Sequence, residues 1–127
     1  MRLGLAIAAV CVTLAAPAVA APDMSAGEFL SRAEPLLKKS KVSLLFSGEA
    51  RKLMGTFGQA AERNRARLDA ERAAGRKSTT CLPPKGKAQV NATELLAHIR
   101  SMPPAQKGQS FDTALASYIA KKYPCRA

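Results

Sequence analysis

Two cysteines, Cys81 and Cys125, are the residues whose type and placement offer chemistry in this chain. They are the only cysteines once the opening segment, which reads as an export signal, is set aside. Oxidation then allows one intramolecular pairing, and in an exported chain such a pair serves as a structural disulfide. Closing that loop stabilises the fold by about 4 kcal/mol on the chain-entropy account. A redox pair would call for a close Cys-X-X-Cys spacing, which is absent. His98 is the only histidine and sits at the edge of an apolar face formed by Leu95, Leu96 and Ile99. Its plain reading is a boundary residue. Zinc would need three or four ligands, and neither cysteine has a ligand-like neighbour at a suitable spacing. Triads assemble across a fold, so spacing alone does not test one, but no nucleophile elbow is present. Glu62, Asp69 and Glu71 stand among arginines on an exposed helix, a poor setting for a tuned acid–base pair. No nucleophile, base and orienting group can be named together, so the chain is expected to be no enzyme and to need no cofactor or metal.

What remains is charge. The sequence carries 20 Lys and Arg against 9 Asp and Glu. Without Arg2, which belongs to the export signal, the side-chain balance is about +10. Such a surface suits an anionic partner: nucleic acid, lipid headgroups or an acidic protein. Export argues against nucleic acid. The plain alternative is that the charge keeps a small protein soluble. The loop from Arg76 to Val90 concentrates the question. It is long, stiffened by Pro83 and Pro84, and carries Arg76, Lys77, Lys85 and Lys87. With Cys81 pinning its middle, these four side chains are the expected contact for an acidic protein partner, because an ordered loop loses less entropy on binding.

The elements that must hold these residues are helices. Ser25 with Glu28 fits a capping box, and Phe29, Leu30, Ala33, Leu36 and Leu37 follow at helical spacing. Pro35 within that stripe predicts a kink or break. Val42 to Phe46 is a brief apolar run with no strand to pair with, and reads as a connector. Ser47 to Gly75 predicts the longest helix. Its stripe includes Leu53, Met54 and Phe57, thins to little but Leu68 beyond Ala61, and leaves the second half solvated on most sides. Arg65–Asp69 and Arg67–Glu71 are expected pairs. Gly55 and Gly58 predict a bend or a close helix crossing, and Gly75 a C-terminal cap. Asn91 with Glu94 starts the next helix, which buries Leu95, Leu96, Ile99 and Met102 and stops before Pro103. Asn91 also opens a glycosylation sequon, but helix capping accounts for it. Ser110 starts the last helix, whose stripe of Phe111, Ala114, Leu115, Tyr118 and Ile119 ends at Pro124. No alternating strand pattern is sustained. The fold class is therefore all-α, a small four- to five-helix domain closed by one disulfide.

Residues 1–20 supply a positive start at Arg2, an apolar core from Leu3 to Ala16, and the cleavage site Ala18-Val19-Ala20. The apolar run falls short of the roughly 20 residues a membrane span needs. Cys11 would be the lipidated residue of a lipoprotein, but Val10 is branched where a small residue is wanted. Cleavage leaves residues 21–127 as one helical domain, periplasmic or secreted, with no membrane span and no nucleic-acid partner expected.

The stretch opening Cys81-Leu82-Pro83, with Leu95-Leu96-Ala97, the break at Pro103-Pro104, Ala114-Leu115 and the ending Tyr123-Pro124-Cys125, resembles the C-terminal half of the Rap/Tai immunity proteins of bacterial type VI secretion systems. The resemblance covers under half of the exported chain. Where the family usually carries a Cys-X-Gly-Tyr-like helix, this sequence has Phe46-Ser47-Gly48-Glu49. The resemblance implies a small, exported, disulfide-bonded helical protein, often dimeric, that blocks a cell-wall amidase effector by protein–protein binding in the periplasm. The competing expectation is an envelope housekeeping or stress protein, either a holdase or a binder of anionic envelope polymers.

Overall fold

A computed structural model describes residues 24–126; the expected export segment, Cys11 included, lies outside the described residues. Six helices run in the order α1 (Ala26–Leu37), α2 (Lys41–Leu45), α3 (Gly48–Ala73), α4 (Ala92–Ser101), α5 (Pro104–Lys107) and α6 (Phe111–Lys122). Among the described residues there is no strand, only two isolated bridges, Ser25 with Ser110 and Thr80 with Pro124. The fold is all-α, as the periodicity required.

The cap signals work as local chemistry. The hydroxyls of Ser25, Ser40, Ser47 and Ser110 each accept the backbone N–H three residues on, and the Asn91 carbonyl oxygen does the same for α4. Each satisfies a donor that a helix start leaves unpaired. The acidic partner of each expected capping box goes elsewhere: Glu28 pairs with Arg32 at 2.7 Å, and Glu94 reaches α6. Gly75 ends α3 with φ +71°, the left-handed conformation that glycine adopts without a Cβ penalty.

The core is built from α1, α3, α4 and α6. Phe29 of α1 and Phe111 of α6 stack with ring centroids 3.9 Å apart. Leu95, Leu96 and Ile99 of α4 and Ala114, Leu115, Tyr118 and Ile119 of α6 are buried, as their spacing predicts. Met102 joins them at the end of α4.

Several expectations are corrected. The α1 helix does not break at Pro35 but runs on to Leu37; the proline lies in the last turn, where only one ladder bond is lost. Val42 to Phe46 is not a plain connector: Ser40 caps a short helix there. A second short helix, α5, follows Pro103, with Pro104 at its first position, where a missing N–H costs nothing. These two raise the helix total above four or five. Neither Gly55 nor Gly58 marks a close crossing, since a Cβ at either would meet open space. Close approach occurs instead at Gly27, where a Cβ would sit 3.3 Å from the Lys107 carbonyl oxygen.

The second half of α3 is solvated on most sides, as its thinning stripe predicts. Asn64 and Leu68 are buried there. The Asn64 amide donates to the Ala60 and Asp112 carbonyls at 3.0 and 3.3 Å, tying α3 to the first turn of α6. Beside it Arg63 grips the Asp112 carboxylate with two nitrogens. Arg67 pairs with Glu71 at 3.1 Å as expected, but Arg65 donates to the Pro83 carbonyl at 3.1 Å rather than pairing with Asp69.

Candidate protein-binding surface

The Cys81–Cys125 disulfide is formed, with the Cα atoms 4.9 Å apart. Two backbone bonds flank it: Cys81 N–H donates to the Tyr123 carbonyl at 2.8 Å and Cys125 N–H to the Thr79 carbonyl at 3.0 Å. The Tyr123 hydroxyl donates to the Gln89 carbonyl and accepts the Gln89 N–H, at 3.1 and 3.0 Å. The loop of 76–90 is thus ordered at both ends, and the tail of the chain is the strut.

The four basic loop residues do not gather into one patch. Arg76 N–H bonds the Glu71 carbonyl near the end of α3, and Lys77 follows it, both exposed. The loop then turns back along α3, so Lys85 reaches Glu62 at 3.0 Å. Glu62 and Glu71 are nine residues apart on one helix, a separation of roughly 14 Å. Lys87 follows the turn in which its N–H bonds the Pro84 carbonyl at 3.0 Å. Two basic pairs therefore stand at different levels of α3, and Lys85 already has an internal partner.

Polar chemistry concentrates between α4 and α6, around a shallow hollow of about 420 Å³. The Tyr118 hydroxyl donates to the Glu94 carboxylate at 2.9 Å and Lys122 Nζ to the same oxygen at 3.2 Å. The Tyr118 bond, then the Lys122 bond and charge, hold the Glu94 carboxyl below its usual range. The Glu94 bond in turn raises the Lys122 ammonium. His98 Nε2 lies 3.1 Å from Ser117 Oγ. Partial burial, then the Lys121 charge, lowers the His98 pKa, so the ring favours its neutral form. A Ser–His contact without an orienting carboxylate is no triad, and Glu94 is bonded to Tyr118 and Lys122 instead. Among the described residues no group of three or more His, Cys, Asp and Glu could hold a metal ion.

A second feature has no marker in the periodic sequence pattern. An open groove of about 370 Å³ runs between α1, α2, α3 and the start of α4. Core side chains make its floor, among them Phe29, Leu53, Leu95 and Leu96. Its rim is apolar and exposed: Leu37 of α1 is 49% accessible, Leu45 of α2 70% and Met54 of α3 73%. Met54 was expected in the core; with Phe57 only half-buried, it sits where the α3 stripe outruns its neighbours. The basic loop enters the groove at Val90. The available signal was the run Val42 to Phe46, too apolar for a connector and too short for a strand of its own.

No family model, curated protein or solved structure matches the chain. Among the described residues, no helix is long and apolar enough to cross a membrane.

Proposed function

We propose that the chain is an exported binding protein of the immunity type, which would neutralise a cell-wall-degrading type VI effector by stoichiometric protein–protein contact. The observation that supports this reading is the groove. Leu37, Leu45 and Met54 leave a continuous apolar rim in water on a small domain, a pattern that marks interaction sites. Its floor is made of buried core side chains already packed in the fold, so a partner segment entering it need order little of the receptor. The Rap/Tai resemblance over residues 81–125 supplies the class of partner, and the basic side chains Arg76, Lys77, Lys85 and Lys87 would favour one with an acidic face.

A second reading, a housekeeping binder of anionic envelope polymers, draws support from positive charge left without a carboxylate partner among the described residues. Lys38, Lys39 and Lys41 are all exposed. The two readings separate by stoichiometry and salt. The oxidised protein is used to capture partners from periplasmic extract, and a captured peptidoglycan hydrolase is then titrated with it. The immunity reading expects one-to-one inhibition that survives physiological salt; graded, salt-sensitive attachment to many polymers supports the alternative. Leu37→Gln with Met54→Gln should weaken the complex at least about tenfold, the effect of losing buried apolar contacts. Weakening by Lys85→Glu with Lys87→Glu alone would move the contact to the basic loop.

A further inference from the structure

The outer face of α2 is separate from the groove. Leu44 and Leu45 line the groove, whereas Val42 and Phe46 do not. Val42 and Phe46 are four residues apart and so share one helical face, and they are 65% and 82% accessible. Lys38, Lys39 and Lys41 immediately precede them, and no carboxylate occurs between Glu34 and Glu49. Glu34 pairs with Arg100 at 2.8 Å and Glu49 lies 3.6 Å from Arg32, so both flanking acids are directed to arginines. Among the described residues none of the three lysines has a carboxylate partner. At the other end of α2 the Arg51 guanidinium donates to the Leu45 carbonyl at 3.3 Å, which sets a fourth positive charge against the same short helix.

We propose that this face is a membrane-surface contact, in which Val42 and Phe46 enter the headgroup boundary of an anionic bilayer while Lys38, Lys39 and Lys41 meet lipid phosphates. The chemistry is that of an interfacial element: exposed apolar side chains for the acyl boundary, and flexible cationic stems that keep their charge at headgroup level. Charge decides among the occupants. A second copy of the chain would set lysines against lysines. A protein partner finds its concavity in the groove, on the other face of α2. A lipid surface needs no concavity and complements both the positive charge and the apolar tip. The contact lies at the surface, and it does not depend on the groove reading.

The chain has no tryptophan, so Phe46→Trp introduces a single fluorescent reporter at the tip. The full chain, oxidised, is mixed with vesicles of phosphatidylcholine alone or of equimolar phosphatidylglycerol and phosphatidylcholine. The expected result is a blue shift with the anionic vesicles only, and none for Ala66→Trp on the exposed side of α3. Lys38→Gln, Lys39→Gln and Lys41→Gln together should lower sedimentation with anionic vesicles at least about tenfold, against less than about twofold for Lys85→Gln with Lys87→Gln. Leu37→Gln with Met54→Gln should leave vesicle attachment unchanged, which separates this contact from partner capture in the groove. No shift at Phe46→Trp, equal shifts at both reporters, or equal loss from the two sets of lysines would overturn the proposal. So would a shift produced by an acidic protein in lipid-free solution but not by anionic vesicles.

Discussion

His98 is where a single proton has a direction in this fold. Its ring packs edge-on to Tyr118, centroids 6.0 Å apart, with Lys121 near enough to oppose a positive charge. Because the folded pKa lies below the unfolded one, the unfolded chain binds the proton more tightly, and stability falls as pH drops past the ordinary histidine range. His98→Gln should therefore flatten the decline in melting temperature between about pH 7.5 and 5, measured by circular dichroism. Glu94 runs the same way at lower pH: its carboxyl is depressed, so its contribution is present above the ordinary carboxylate range and lost as pH falls through its folded pKa. Lys122 is raised, so its contribution is lost only as pH climbs through its own elevated pKa. Leu115 carries no charge and no accessible surface. Leu115→Ala should cost about 2–5 kcal/mol in denaturant unfolding, through lost burial and the cavity left behind. A cost below about 0.5 kcal/mol, the range of surface changes, would show the α6 face to be unpacked.

At the scale of elements, α3 shows how polar groups can do what apolar ones usually do. Beyond Ala61 its apolar stripe is nearly gone, yet the helix stays docked because Asn64 and Arg63 hold the start of α6. Asn64→Ala should cost about 1–2 kcal/mol, since a buried amide with partners on two helices is removed. Native-state hydrogen exchange should show the loss concentrated in residues 62–73. That docking was invisible to periodicity, which scores an asparagine as solvent-facing. The α4 and α6 stripes were legible because buried spacing and caps agreed there: Asn91 and Ser110 start helices whose apolar faces then meet. The α2 and α5 helices were not legible, since each is a single turn whose existence depends on a cap and on neighbours. Met54 was misjudged because the α3 stripe extends past the helices that could cover it, and that overhang is the rim of the groove. The four loop cations were readable as exposed charge, but not their spread along α3, which depends on where the chain turns back.

For the whole molecule the disulfide is the largest single covalent contribution. It joins residues 44 apart in sequence. Cys125→Ser should lower stability by about 4 kcal/mol, read from urea unfolding with and without reductant; equal midpoints for the two proteins under oxidising conditions would refute the structural role. The bond fastens one end of α6. The other end is fastened by the start of the described chain: Ala26 N–H bonds the Gln109 carbonyl and Phe111 N–H bonds the Met24 carbonyl, both at 2.8 Å.

That second fastening sets the order of events in time. Residues 24 and 26 take their long-range backbone partners from 109–111, and Phe29 stacks on Phe111. A nascent chain that stops before α6 can set α1 against α3 and α4 but leaves the start of α1 without its partners. Closure over so long a separation is slow compared with local helix formation, because the entropy of bringing the ends together must be overcome first. The start of α1 is thus fixed only once residues 109–111 have been made, and until then that end of the fold stays open.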